Sequence, residues 1–281
     1  MIRVRLIGGL GNQLFQFAIG RAIAEDLGKN LIIDTSDFKT YKLWRPLILN
    51  FPLSDRVLTQ DQRGKSRLLN AKDRLLGRYF KEKNLKFNHR YNEINHSATL
   101  RGYFQSEKYF VRHADVIRAE LRLQSAKARE LRRSWGDKPV AALHFRRGDY
   151  LNETTYGLCT VGYYRAGMAI LRAAVPDVKF VAFTDDPEWF HAESGLVNEV
   201  SLASEKSLSD LDEFVLMSSC DHFIIANSSF SWWAAWLGDA AGKKVIAPKP
   251  WFDSDQNDGS TVVPDNWMEL PKSIEENFLD T

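Results

Sequence analysis

The chain has little of what marks the simplest functional classes. Its two cysteines among 281 residues, Cys159 and Cys220, give neither a disulfide framework nor a metal-ligand spacing. No apolar run reaches the roughly 18 residues of a membrane span, and Met1-Ile-Arg-Val-Arg5 lacks a signal-peptide core. A reduced, cytoplasmic protein that does not span a membrane is expected. No GxxxxGK[ST] occurs, which excludes a P-loop site. Gly9-x-Gly11 is followed by Leu14 where a dinucleotide fingerprint needs its third glycine. Repeats of solenoid period and low-complexity tracts are missing too. Net charge is only +2, from 38 Lys and Arg against 36 Asp and Glu, too little for the whole molecule to attract nucleic acid.

What is present is a globular composition, 44% hydrophobic and 12% aromatic, with unevenly placed charge. Residues 61–90 carry ten Lys and Arg against Asp61, Asp73 and Glu82. That stretch has only Tyr79, Phe80 and Phe87 for base stacking, so a nucleic-acid partner is not expected. It reads either as solvated surface or as contact with an anionic membrane surface or glycolipid acceptor, which would make the protein peripheral at the inner membrane. From Asp253 onward Lys272 is the only Lys or Arg.

Alternating strand and helix signals imply parallel sheets covered by helices. Residues 2–7 and 31–34 read as strands around an amphipathic helix that ends at Gly28, a C′ glycine. The stretch 55–95 is polar, with one helix near 65–76. A strand at 97–104 and helical sequence at 106–134 follow. The breaker cluster Gly136-Asp-Lys-Pro139 is the expected domain boundary, giving an N-terminal domain 1–136 and a C-terminal domain 137–281. Beyond it, strands are expected at 140–145, 178–183, 197–202, 222–226 and 244–247. Helices fall between them, near 162–174, 186–194, 209–219 and 230–240, the third with a capping box at Ser209-Asp-Leu-Asp212. The simplest architecture is two doubly wound α/β halves with ligands at strand carboxyl ends.

Four segments occupy such ends. Gly8-Gly-Leu-Gly-Asn-Gln13 is either a structural tight turn or a helix start open to an anion. His144-Phe-Arg-Arg-Gly-Asp-Tyr150 puts two adjacent guanidiniums after an apolar strand. Arginine forks match phosphate oxygens, which points to a pyrophosphate; an Arg–Asp149 surface pair beside a half-buried histidine is the alternative. In Phe183-Thr-Asp-Asp-Pro187 one carboxylate suits a purine edge or ribose, and one suits helix capping ahead of Pro187. Asn227-Ser-Ser-Phe-Ser231 crowds polar groups at a helix start, more than one N-cap needs. The tryptophans that follow, Trp232, Trp233 and Trp236, have the spacing of core residues. Metal binding has only loose support, from Asp253-x-Asp255 and Asp210-x-Asp212.

These segments, with Arg101-Gly-Tyr-Phe-Gln-Ser-Glu-Lys-Tyr-Phe110 and the block from Met217 to Gly238, resemble the α1,2-fucosyltransferase family, glycosyltransferase family 11, in its bacterial form. The resemblance implies an α/β, GT-B-like fold with two Rossmann-like domains facing a cleft. It implies a metal-independent, inverting enzyme that needs no cofactor and moves L-fucose from GDP-β-L-fucose to the 2-hydroxyl of a β-galactoside acceptor. Different fucose linkages, or a non-catalytic GDP- or glycan-binding protein, are the alternatives. Related α1,6- and protein O-fucosyltransferases share two of the motifs. Carried over from them, Arg146 would hold the β-phosphate, His144 and Asp185 the guanosine, and Ser228 and Ser229 the diphosphate. Arg147, Asp186, Asn227, Phe230 and Ser231 complete the donor-side candidates. Gly11, Asn12 and Gln13 would face the same cleft from the other domain. For a base, Asp149 and Glu153 are nearest in sequence; the glutamate of the α1,6 enzymes falls at Thr154 here.

Overall fold

The computed structural model describes residues 1–40, 43–153, 155–203 and 208–275. The chain forms two units, Met1–Leu123 with Gln256–Val262, and Gln124–Asp255 with the segment from Val263 onward.

In the N-terminal unit the order is β1 (Ile2–Arg5), α1 (Leu10–Asp26), β2 (Leu31–Asp34), β3 (Val57–Gln60), α2 (Arg63–Leu75), β4 (Tyr79–Lys81), β5 (Ala98–Arg101) and α3 (Ala114–Glu120). The sheet runs β3-β2-β1-β5-β4 with every pairing parallel. Central β1 is buried on both faces, as parallel strands are. Ile2 and Val4 fill one side. On the other, Arg3 reaches Asn70 and Thr99, each at 2.8 Å, and Asp73 at 3.1 Å, which fastens α2 to the sheet. The α1 helix is not the amphipathic element expected. Leu10, Gly11 and every residue from Gln13 to Ala24 are buried, because residues 111–113 and α3 cover its outer side and Glu120 accepts from Arg21 at 2.8 Å. Gly28 does follow the helix in a left-handed conformation.

The C-terminal unit contains α4 (Ala126–Ser134), β6 (Val140–Phe145), α5 (Val161–Ala174), β7 (Lys179–Thr184), α6 (Pro187–Glu193), β8 (Val200–Leu202), α7 (Asp210–Ser218), β9 (His222–Ile224), α8 (Ser229–Leu237), β10 (Val245–Lys249) and β11 (Met268–Pro271). Its parallel sheet runs β11-β10-β9-β6-β7-β8. Counted from β6, that is the 3-2-1-4-5-6 order of a doubly wound domain, whose switch point lies between β6 and β9. Trp232, Trp233 and Trp236 are buried core side chains, and Cys220 is a buried thiol.

Two differences from the sequence reading concern boundaries. Residues 106–134 do not form continuous helix: two 3-10 turns precede α3, and 121–125 is non-helical. The units divide in that gap, thirteen residues before the breaker cluster. The reason is that α4 docks onto α7. Ser125 caps α4 and donates to Asp212 at 2.6 Å, and Arg132 reaches Asp221 at 2.8 Å. Gly136 turns the chain from α4 into β6 within the unit. Strands β3, β4 and β11 lie at or next to sheet edges in sequence that reads as polar.

Candidate active site

At the switch point of the C-terminal unit, β6 delivers His144 to Tyr150 and the turn after β9 delivers Asn227 to Ser231. Arg146 is held between two carboxylates, Asp149 at 2.7 Å and Asp185 at 2.9 Å. Its guanidinium also lies 5.6 Å from the Tyr150 ring centre. Asp185 is committed at both oxygens, since its other one accepts the Arg147 backbone N–H at 2.9 Å. The approach requires Gly148, where an added Cβ would lie 2.8 Å from Asp185 Oδ2.

Arg147 turns the other way. It stacks on Trp189 at 3.9 Å and reaches Asp186 at 3.3 Å, while Asp186 caps α6 by accepting the Trp189 N–H at 3.0 Å. One aspartate of the Thr-Asp-Asp turn therefore serves the arginine and the other serves the helix, with Pro187 opening that helix. Both side chains, expected at the substrate, fasten β6 to α6 here.

His144 is 5% exposed, and its Nδ1 has no hydrogen-bond partner. Burial first, then the charge of Arg146, lowers its pKa to about 3. The imidazole is therefore neutral near pH 7, one ring nitrogen a donor and the other an acceptor, beside the Phe230 ring, 5.9 Å away.

The helix start divides its labour as well. Asn227 is buried, and its amide nitrogen donates to Tyr156 O, Trp251 O and Gly157 O at 2.7, 3.1 and 3.2 Å. Ser231 is fully buried against Ala226 O and Ser228 O. In this fold the Asn227 amide nitrogen and the Ser231 hydroxyl are engaged by backbone carbonyls. Ser228 caps α8. Half-buried Ser229 has no protein partner among the described residues, so its hydroxyl is available at the start of α8, where helix amides suit an anion.

Glu153 is exposed and makes no side-chain contact with this cluster among the described residues; Thr154 lies outside them. Gly11, Asn12 and Gln13 belong to the N-terminal unit. They too lie at a switch point, between β1 and β5. Asn12 Oδ1 accepts from Gln105 at 2.8 Å. Gln13 is fully buried. It donates to Gly8 O and Arg45 O and accepts from the Ile48 N–H, so it ties two turns together and is closed to a substrate. Gly11 is buried inside the first turn of α1.

The sequence reading missed Glu213, in the first turns of α7. Burial first, then the charges of Asp210 and Asp185, offset in part by Arg146, raises its pKa to about 7. Its only sequence signal was position: an extra acid beside the capping box.

A family model for glycosyl transferase family 11 matches residues 1–270. The chain belongs to glycosyl transferase family 11. Among curated relatives it is similar to an alpha-1,2-colitosyltransferase of Escherichia coli, 29% identical over 97% of this chain and 99% of that one. It also resembles the O-antigen biosynthesis glycosyltransferase WbnK of Escherichia coli, 28% identical over 94% and 99%. In fold it is like a point mutant of Arabidopsis thaliana FUT1 in complex with GDP, with a TM-score of 0.51 at 11% identity, covering 94% of this chain and 74% of that one. The family 11 chain is thus a GT-B-type glycosyltransferase that uses a nucleotide sugar.

Proposed function

We propose that this enzyme transfers L-fucose from GDP-β-L-fucose to the 2-hydroxyl of a terminal β-galactose. The observation that carries the reading is Arg146 and the α8 start, set on opposite sides of one switch point, in a chain that belongs to family 11. A diphosphate needs converging donors, and an arginine fork with free helix-terminal amides supplies them.

Donor recognition is divided among three groups. Glu213 takes the guanine edge, since an ionised carboxylate accepts from the adjacent N1–H and N2–H groups that adenine lacks. His144, with the Phe230 ring 5.9 Å from its own, lies at the guanosine end. Asp185, expected to read guanosine, orients Arg146 instead, because both of its oxygens are occupied.

Asp149, 2.7 Å from Arg146, takes the place on the guanidinium that we assign to the β-phosphate. Donor binding exchanges that carboxylate for phosphate on Arg146. As GDP leaves, charge grows on the β-phosphate, and Arg146 with Ser229 and the α8 amides stabilises it. No step here calls for a metal, and we propose that EDTA leaves the rate unchanged. The acceptor hydroxyl of an inverting reaction attacks from the face opposite GDP. A base must lie on that face, whereas Asp149 touches the arginine on the leaving-group side. Asp149 is therefore a phosphate placeholder rather than the base.

Colitose is fucose without its 3-hydroxyl, and the E. coli colitosyltransferase relative favours GDP-colitose as the second reading. The deciding experiment offers GDP-fucose and GDP-colitose to β-galactosides and determines product linkage by NMR. Faster transfer from GDP-fucose to O2 is expected. Preference for GDP-colitose, a linkage to another hydroxyl, or GDP binding without turnover would each replace the proposal.

A further inference from the structure

Outside the donor site, the N-terminal unit carries a cavity of about 680 Å³ lined by residues between Gly77 and Ala98. That lies within the roughly 300–1,000 Å³ of small-molecule sites. Five cations line it, Arg78, Lys81, Lys83, Lys86 and Arg90, against one carboxylate, Glu93. Glu93 is paired with Arg90 at 3.3 Å, and Lys86 lies 3.9 Å from Asp258. Arg78, Lys81 and Lys83 have no acidic partner among the described residues.

Lysines on an edge strand commonly do no more than stop the sheet from pairing further. Here the cations surround a concavity, and the chain that bears them is pinned. Glu82 points inward between Lys81 and Lys83, buried, and accepts from the Tyr103 and Phe104 amides at 2.7 and 3.0 Å. Asn84 and Leu85 turn the chain in the left-handed region. Asn88 donates its backbone N–H to the Tyr109 hydroxyl at 2.9 Å, and Phe87 packs 4.7 Å from the Tyr109 ring. Holding several lysines near one another on a fixed loop costs mutual repulsion, which an anion relieves.

We propose that this cavity binds a phosphorylated saccharide through its phosphoryl group. Unpaired cationic groups suit the multiple charge of a phosphate or diphosphate, and the partly exposed rings of Tyr79, Phe80 and Phe87 in the lining give apolar surface beside them for a sugar. On the transferase reading above, the ligand is the acceptor, and its phosphate anchors it away from the hydroxyl that reacts.

Binding is tested first without turnover. Full-length protein saturated with GDP, so that the donor site is filled, is titrated calorimetrically with inorganic pyrophosphate. The wild type binds, more weakly as salt rises. The variant Arg78→Gln/Lys81→Gln/Lys83→Gln, altered only at exposed positions, keeps its GDP affinity and loses at least tenfold in pyrophosphate affinity. No binding by the wild type, or equal binding by the variant, overturns the site. A second arm compares KM for a β-galactoside with and without a phosphate on its reducing end. The phosphorylated form should have a KM at least tenfold lower, and the variant should erase the difference while keeping kcat/KM for the neutral form. Pyrophosphate binding with neither galactoside accepted would refute the acceptor reading and leave the anion site standing. Sedimentation with phosphatidylglycerol vesicles, lost in the variant and unaffected by pyrophosphate, would assign the cations to a lipid surface and overturn the proposal.

Discussion

The guanine contact proposed for Glu213 gives donor binding a pH dependence. With a pKa near 7 in the unliganded fold against an ordinary 4.5, its carboxyl is roughly 10% ionised at pH 6 and roughly 90% at pH 8. Guanine presents N–H donors, which only the ionised form accepts at both oxygens. Affinity for the guanine nucleotide should then rise about tenfold across those two units, or about 1.4 kcal/mol, with a proton released on binding at pH 6. GDP-fucose is the better probe, because the terminal phosphate of free GDP titrates itself near about pH 6. His144, lowered to about 3, stays neutral throughout the window. Calorimetry at pH 6, 7 and 8, in buffers of different ionisation enthalpy, reads affinity and proton release together. Glu213→Gln should flatten the profile and weaken binding at least tenfold at pH 8. The variant also has a stability signature of opposite sign. A carboxyl raised on folding stabilises the protonated fold, so this contribution is intact below about pH 4.5 and is lost as pH rises through 7. At pH 8 the glutamine variant should be more stable than the wild type by up to about 3 kcal/mol before allowance for partial exposure, and the gap should close by pH 4.5. A flat wild-type profile, or a glutamine variant that keeps the slope, would refute the assignment.

Arg146→Ala should lower kcat by about 10²–10³, the cost of one oxyanion-type donor, measured in single-turnover GDP release. Asp149→Asn should tighten GDP binding by removing the placeholder and should leave kcat within about tenfold; a loss beyond about 10² would make it a base after all. Asn227→Ala leaves three carbonyls without their donor and should destabilise the fold by about 1–3 kcal/mol in denaturant melts. His144, neutral when folded, resists protonation, so its contribution to stability is full above about pH 6.5 and is lost as pH falls towards 3. A His144→Phe variant should show a shallower acid transition in the same melts.

Much of the fold was legible because its central strands are mostly apolar and its turns carry strong punctuation. Val140 to Phe145 is buried at every position, and such a run has few alternatives beside glycine-marked turns. The edge strands escaped notice because their residues are half exposed and carry no alternation, as with Tyr79-Phe-Lys81. The unit boundary was misplaced for a related reason. Gly136 is a real breaker, but a breaker marks a change of direction, and only the Ser125–Asp212 and Arg132–Asp221 pairs show which unit owns the helix before it.

Within the site, residue type located the chemistry and could not assign it. Adjacent arginines at 146 and 147 look equivalent in sequence, yet successive residues leaving a strand point to opposite faces. Arg146 meets Asp149 and Asp185, while Arg147 lies over Trp189. The same applies to Asn227, Ser229 and Ser231, where only Ser229 stays open after the backbone has claimed the others. Glu213 was invisible because burial, which the sequence does not show, is the first cause of its raised pKa, ahead of Asp210 and the sequence-distant Asp185. The guanidinium we assign to the phosphate is held between two carboxylates. That arrangement offsets the cost of a half-buried guanidinium, since an unpaired charge away from water is costly. It also makes donor affinity the difference between two ion pairs. Removing Asp149 should therefore strengthen GDP binding and removing Asp185 should weaken it, although both touch the same guanidinium, because only Asp185 also holds the backbone of Arg147 in place.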